Sequence, residues 1–247
     1  PAVPSAAPAD HWQRVLVASP AGDVAGWWRR GAGPVAVWLH APGSAPFVPA
    51  DVWQDGAVLL VDLPGHGASC ETGATLDVAT MVAGIGALID ACVPPAGLQL
   101  RVHGAAAAYL PGLAARYGAR LAHAHLDTPW LLTAEEQACL LAGLPVTTID
   151  RAGGHLGDAW HWERERHLIW PWMTPSAAAR RLVDAPDPAR VHANTVELVR
   201  LGTRLAPLLA AATPADLSDQ LHRLAVPLSV SAEPANDFQG RAAALLS

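Results

Sequence analysis

A chain of 247 residues that is 51% hydrophobic and only 15% charged can bury a sizeable core, which excludes a disordered protein. The net charge of −6 leaves no basic footprint for nucleic acid or for an anionic membrane surface. All sixteen basic residues are arginine, which removes Schiff-base chemistry on a lysine and, with the Ala, Pro and Gly load, points to a GC-rich bacterial genome.

In chain order, Pro1–Asp10 reads as a loose arm without the basic start and apolar centre of a signal peptide. Gln13–Ser19 and Val24–Arg29 read as a hairpin around Pro20-Ala21-Gly22-Asp23. Pro34–His40 and Gly56–Asp62 are apolar runs closed by turn residues, and both are expected as buried strands. Leu76–Cys92 has helical periodicity. The run Leu98–His103 is expected as a further strand, turning sharply at Gly104 into an Ala-rich helix that reaches Tyr117. Strand, tight turn and helix is the frame of a nucleophile elbow, but a glycine stands at the turn. Leu121–Asp127 and Val226–Ser231 complete the strands. Strands alternating with helices predict an α/β fold built on a mostly parallel sheet.

From Thr133 to Leu221 the pattern is helical, Trp-rich and interrupted by prolines. The expected organisation is a core over 1–132, a helical cap over 133–221 and the remainder of the core over 222–247. Cys70, Cys92 and Cys139 lack metal-ligand spacing and read as free thiols of a cytoplasmic protein. No apolar run is long enough to span a membrane.

These residues resemble the α/β-hydrolase superfamily. His40-Ala41-Pro42-Gly43-Ser44 is similar to its oxyanion loop, and Asp62-Leu63-Pro64-Gly65-His66-Gly67 closely matches the loop after its fourth strand. Leu98–Tyr117 matches its elbow, and Leu126–Pro129 and Val226–Asp237 match its next two strands. The segment Gly153-Gly154-His155-Leu156, with Trp160, Arg164 and Pro171-Trp172, is similar to caps of some bacterial members. The resemblance implies an α/β-hydrolase fold with a helical cap, and places the nucleophile at Gly104, which has no side chain to attack with. It places the first oxyanion donor at Pro42, which has no N–H, and leaves the Ala105 N–H as the second. The catalytic histidine of the family is expected roughly twenty residues or more beyond Asp237, past Ser247, so it is either lost or trimmed away. Asp127 and Asp237 occupy places of the family's acid, and with no histidine to orient they read as strand-end carboxylates.

The expectation is therefore an enzyme of this fold that is not a serine hydrolase. It would act by proton transfer or rearrangement, of the epimerase, isomerase, cyclase or lyase kind, on a largely apolar small molecule or peptide-like metabolite. Serine-less members in bacterial natural-product pathways, such as the bottromycin peptide epimerase, show what the resemblance allows. Candidate proton-transfer residues are His155, His103 and His40. The substrate would meet Ala41, Pro42, Gly104, Ala105, Trp130, His155, Trp160, Arg164 and Trp170. Neither metal nor cofactor is expected, since nothing near His123 and His125 in sequence completes a ligand set. Glu163 and Glu165, alternating with Arg164 and Arg166, read as a solvated or ion-paired face. The alternatives are a ligand-binding protein without chemistry, and an ester hydrolase whose serine was altered and whose C-terminus was cut.

Overall fold

The computed structural model describes residues 12–46, 56–70, 73, 75–95, 97–145, 148–169, 172, 176–181, 183–231, 241–242 and 244–245. The expectations for the arm Pro1–Asp10, for Trp170 and for Asp237 lie outside the described residues.

Strands β1 (Trp12–Ser19) and β2 (Gly22–Arg29) form the hairpin, joined by Pro20 and Ala21. Gly22 follows that turn with φ near 101°, a conformation that glycine adopts without strain. Strands β3 (Val35–Leu39), β4 (Ala57–Val61), β5 (Leu98–His103), β6 (Leu121–Asp127) and β7 (Leu228–Ser231) continue the sheet. Among the described residues the strand order is β1-β2-β4-β3-β5-β6-β7, antiparallel as far as the β2–β4 pair and parallel beyond it. The chain steps from β3 outward to β4, then returns across β3 to β5. That reversal opens a crevice at the C-terminal ends of β3 and β5, where open α/β sheets receive ligands.

The two faces of the sheet differ. On one, Val35, Val37, Leu39, Leu59, Val61, Leu98, Leu100 and Val102 are buried in one core with Met81, Ile85, Leu88 and Ile89 of helix α1 (Val78–Cys92). The Asp77 side chain caps α1 by accepting from the Thr80 amide. On the other face, Gln99, Arg101 and His103 of β5, His123, His125 and Asp127 of β6, and Ser229 of β7 are only partly buried, and Ser231 is exposed. Parallel strands are ordinarily apolar on both faces, so this polar face marks the strands as more than scaffold.

Past β5 the chain forms a 3-10 turn, Gly104–Tyr109, which passes into helix α2 (Leu110–Tyr117). Between β6 and β7 lie α3 (Ala134–Ala142), α4 (Gly154–Leu168), α5 (Pro188–Leu201), α6 (Leu205–Ala212) and α7 (Leu217–His222). A capping box of Thr133 and Glu136 starts α3, and Arg241 reaches back to clamp Glu136 with two hydrogen bonds of 2.7 Å.

Candidate active site

Gly104 occupies the sharp bend after β5 with φ near 59°. A Cβ there would lie 3.2 Å from the Ala41 Cβ and 3.3 Å from the Trp130 Nε1, so any side chain would be crowded and would need Ala41 or the indole to give by a few tenths of an ångström. Trp130 is held there from two sides. Its amide donates to the Gly104 carbonyl at 3.4 Å, and its ring packs on Trp172 with centroids 4.9 Å apart. Trp162 meets Trp172 edge to face, and Trp130 and Trp172 are both buried.

The loop after β3 has no free amide from Pro42 to Ala45. Pro42 lacks the N–H, the Gly43 N–H donates to His66 Nε2 at 2.9 Å, the Ser44 N–H to the Ala41 carbonyl at 3.0 Å, and the Ala45 N–H to Asn194 Oδ1 at 2.9 Å. An oxyanion would find no donor on this side. Ala105, the other donor position, is buried in the 3-10 turn.

His40 is also committed. Its Nδ1–H donates to the Ala41 carbonyl at 3.0 Å and its Nε2 accepts from the Leu63 amide at 3.1 Å. Burial, with His66 close by, pushes its pKa well down, so the ring is neutral and ties the two loops together. Sequence reasoning offered His40 as a proton carrier, but both of its nitrogens serve the backbone. His66 is buried in the same way, accepting from Gly43 and donating to the Pro64 carbonyl at 3.0 Å.

At the C-terminal edge of β5 and β6, His103 and Asp127 stand opposite each other in register. The His103 Nδ1–H donates to Asp127 Oδ2 at 2.9 Å, and the two side chains are 36% and 41% exposed. Asp127 therefore does have a histidine to orient, contrary to the sequence reading. That partner is the residue before the bend, and the β5–β6 register brings the two together. The Thr128 and Ser231 hydroxyls donate to the other carboxylate oxygen, at 3.2 and 3.0 Å. Burial pushes Asp127 upward but is outweighed by these bonds, chiefly the one from His103, and the carboxyl sits at about 2. Thr128 has φ near 48°, the one positive value among the described non-glycine residues. A β-branched residue in that region is strained, and strain of this kind gathers at functional sites.

The remaining candidates are scattered. His155 is buried in the first turn of α4, where its Nδ1 accepts from the Asp150 amide at 3.3 Å, a local tie at the helix start. Trp160 is exposed on α4 with Arg164 over its ring at 5.7 Å, so this pair faces outward. Glu163 is the opposite of a solvated residue. It is fully buried, chelated by the Arg166 guanidinium and contacted by His167 and Asn194. Arg166 also donates to the Ser44 hydroxyl at 3.1 Å, and Asn194 holds Ala45, so α4 and α5 are fastened to the loop after β3. Among the described residues, no cluster of three or more His, Cys, Asp or Glu side chains could hold a metal ion.

Similar folds are found among solved structures. A bromoperoxidase from Bacillus anthracis superposes with a TM-score of 0.66 at 14% identity, covering 88% of this chain and 80% of that one. An epoxide hydrolase from an endophytic Streptomyces gives 0.65 at 15% identity, covering 96% and 84%. An esterase from a Rhodococcus species gives 0.64 at 16% identity, covering 89% and 79%. The chain has the α/β-hydrolase fold. No protein-family model matches the sequence, and neither does any curated protein. The α/β-hydrolase fold hosts many chemistries, and identities this low carry the architecture alone. What this chain does with the fold has to be argued from His103, Asp127 and the crowded bend at Gly104.

Proposed function

We propose that the protein is a non-hydrolytic enzyme of α/β-hydrolase fold that moves a proton on a largely apolar small molecule or peptide-like metabolite, with His103 as the base. The observation that carries this reading is the 2.9 Å bond from His103 to Asp127, beside a bend that holds a glycine and an indole in place of a nucleophile. With Nδ1–H engaged, the neutral imidazole presents Nε2 as its basic atom. Nε2 accepts a proton from a carbon next to a carbonyl, and the C–H electron pair moves onto the carbonyl oxygen. The imidazolium, stabilised by the Asp127 carboxylate, then returns the proton to the same carbon or to a neighbouring one. Isomerisation follows from that step, exchange follows when the imidazolium proton swaps with solvent before it returns, and epimerisation follows when solvent delivers the proton to the opposite face; no acyl group is ever attached to the protein.

The helices of 133–221 are the cap in this reading. Trp162 and Trp172 of the cap, rather than Trp160, meet Trp130 of the core, and His40 and His155 are ties within the scaffold. Among the described residues no helix is long and apolar enough to cross a membrane. The three unpaired cysteines support a cytoplasmic enzyme, and the net charge of −6 supports one that binds neither nucleic acid nor an anionic membrane; the assignment to bacterial secondary metabolism rests on the resemblance to serine-less members of the superfamily.

The test is solvent-deuterium incorporation into a panel of N-acetyl amino-acid esters, short peptides and 2-oxo acids, followed by mass spectrometry. A member of the panel is expected to gain deuterium, with the rate falling about 10²–10⁴-fold in His103→Asn. p-Nitrophenyl butyrate is expected to stay intact. Deuterium gain that survives His103→Asn, or an acyl adduct on the protein, overturns the reading. Tight binding of a panel member without exchange favours the ligand-binding alternative, which the indole packed over Gly104 also supports.

A further inference from the structure

The polar face of β6 and β7 carries two serines and a histidine that the proton transfer above does not use. Ser229 Oγ lies 2.8 Å from His125 Nδ1, His125 Nε2 lies 3.1 Å from Ser231 Oγ, and the Ser231 hydroxyl donates to Asp127 Oδ1 at 3.0 Å. Asp127 can only accept, and this fixes the direction of the two bonds nearest to it in the row. With its single hydrogen on Asp127, the Ser231 oxygen must accept from His125 Nε2–H. In the neutral ring, His125 Nδ1 then accepts from the Ser229 hydroxyl. From the other side the His103 Nδ1–H and the Thr128 hydroxyl also donate to Asp127. All these hydrogens point toward one carboxylate, and chains aligned in this way strengthen one another.

The backbone holds the row in place. Asp127 pairs with Ser231 and His125 with Ser229 in the parallel β6–β7 register, and the Thr128 amide donates to the Ser231 carbonyl at 2.8 Å. The strained Thr128 is thus anchored at both amide and hydroxyl to the atoms that surround Asp127.

We propose that Ser231 and His125 are positioning residues of the candidate active site, a hydrogen-bond chain from β7 that fixes the orientation of the Asp127 carboxylate toward His103 and so keeps the His103 proton on Nδ1. This rests on the reading of His103 as the base, since a proton fixed on Nδ1 is what leaves Nε2 bare for a substrate. Among the described residues, the ionisable groups facing Asp127 are His103 of β5 and His125 of β6, with Arg101 one alternate position further down β5, stacked on Trp38 at 4.8 Å. The Ser231 hydrogen is spent on Asp127, so its oxygen is not activated by His125.

The experiment uses the whole chain labelled with 15N-histidine and 13C-aspartate and needs no substrate. In the wild type, long-range N–H correlations near neutral pH are expected to show His103 protonated on Nδ1, and the Asp127 carboxyl carbon is expected to titrate well below the ordinary carboxylate range. In Ser231→Ala the Asp127 midpoint is expected to rise by about one pH unit, and His103 is expected to divide between its two tautomers because the carboxylate, still ionised near neutral pH, is no longer held in line with Nδ1. Ser231→Thr, which keeps the hydroxyl, is expected to restore both signals. His125→Ala is expected to move Asp127 in the same direction by less. Thr128→Gly removes the other hydroxyl on the same oxygen while relaxing the positive φ, and is expected to raise the midpoint without loss of folding. If the Asp127 midpoint and the His103 tautomer stay at their wild-type values in both Ser231→Ala and Thr128→Gly, the proposal is overturned. A chain that shows these shifts but exchanges no substrate proton keeps the hydrogen-bond row and loses the base.

Discussion

Gly104 shows at the scale of one residue why acyl transfer cannot be restored by a single change. In Gly104→Ser the new Cβ sits at a positive φ, 3.2 Å from Ala41 and 3.3 Å from the Trp130 indole. The variant is expected to fold with a stability loss of about 1–3 kcal/mol, read by urea unfolding. It is also expected to form no adduct with a fluorophosphonate, because the loop after β3 offers the oxyanion nothing from Pro42 to Ala45. A covalent adduct on the introduced hydroxyl would refute this account of the loop. The glycine itself, and the proline at 42, were legible in the sequence because each follows an apolar run at a recognisable spacing. The indole over the bend was not. Trp130 is brought there by the turn at Thr128, and nothing in a single sequence announces a positive φ on a threonine.

At the scale of elements, strands were easier to read than partners. Leu121–Asp127 and the start of the Leu98 run agree with β6 and β5, and the hairpin falls where its turn residues put it. The Ala-rich stretch after Gly104 was expected as helix throughout but begins as a 3-10 turn over Gly104–Tyr109. The His103–Asp127 pair needs the β5–β6 register, which sequence periodicity does not supply. Glu163 was hidden for a different reason. Read as alternating charges, residues 163–166 look solvated, yet on a helix Glu163, Arg166 and His167 share one face at spacings of three and four. A stripe of His155, Ala159 and Glu163 is the buried side of α4. Arg166 and Asn194 carry this charge to the loop after β3, so removing it should loosen both α4 and α5. Glu163→Gln is expected to cost about 3–5 kcal/mol, since it leaves the Arg166 guanidinium without its counter-ion. The pH dependence checks the cause. Burial opposes ionisation of Glu163, but Arg166, His167 and Asn194 outweigh it and hold the carboxyl at about 2. A depressed acid stabilises fully above its ordinary value and loses that contribution as pH falls through about 2. The acid limb of the stability curve should therefore be shallower in Glu163→Gln than in the wild type.

Over the whole molecule, three buried groups beneath the crevice pull the stability curve in opposite directions. His40 and His66 are held neutral by burial, so the unfolded chain takes up protons below the ordinary histidine value while the folded chain resists. Each makes the protein more stable as pH rises toward neutrality, by at most about 1.4 kcal/mol per pH unit. Asp62 works against them. Burial raises its carboxyl to about 6, and among the described residues its Oδ2 accepts only the Ala68 amide at 2.8 Å and its Oδ1 has no hydrogen-bond partner. For an acid raised above its unfolded value the folded state holds the extra proton. Stability is then lost as pH climbs from the ordinary value through about 6, by the same slope with opposite sign. Between about pH 5 and about pH 6 the Asp62 slope offsets part of the rise that the two histidines produce. Asp62→Asn removes the falling slope and keeps an acceptor for the Ala68 amide. It is expected to raise stability near neutral pH by about 1–3 kcal/mol. Between about pH 5 and about pH 6 it should steepen the rise, toward at most about 2.7 kcal/mol per pH unit. Urea unfolding across that window decides the matter. Parallel curves for the two proteins would mean that Asp62 ionises as freely in the folded chain as in the unfolded one, and that its isolated oxygen has found a partner.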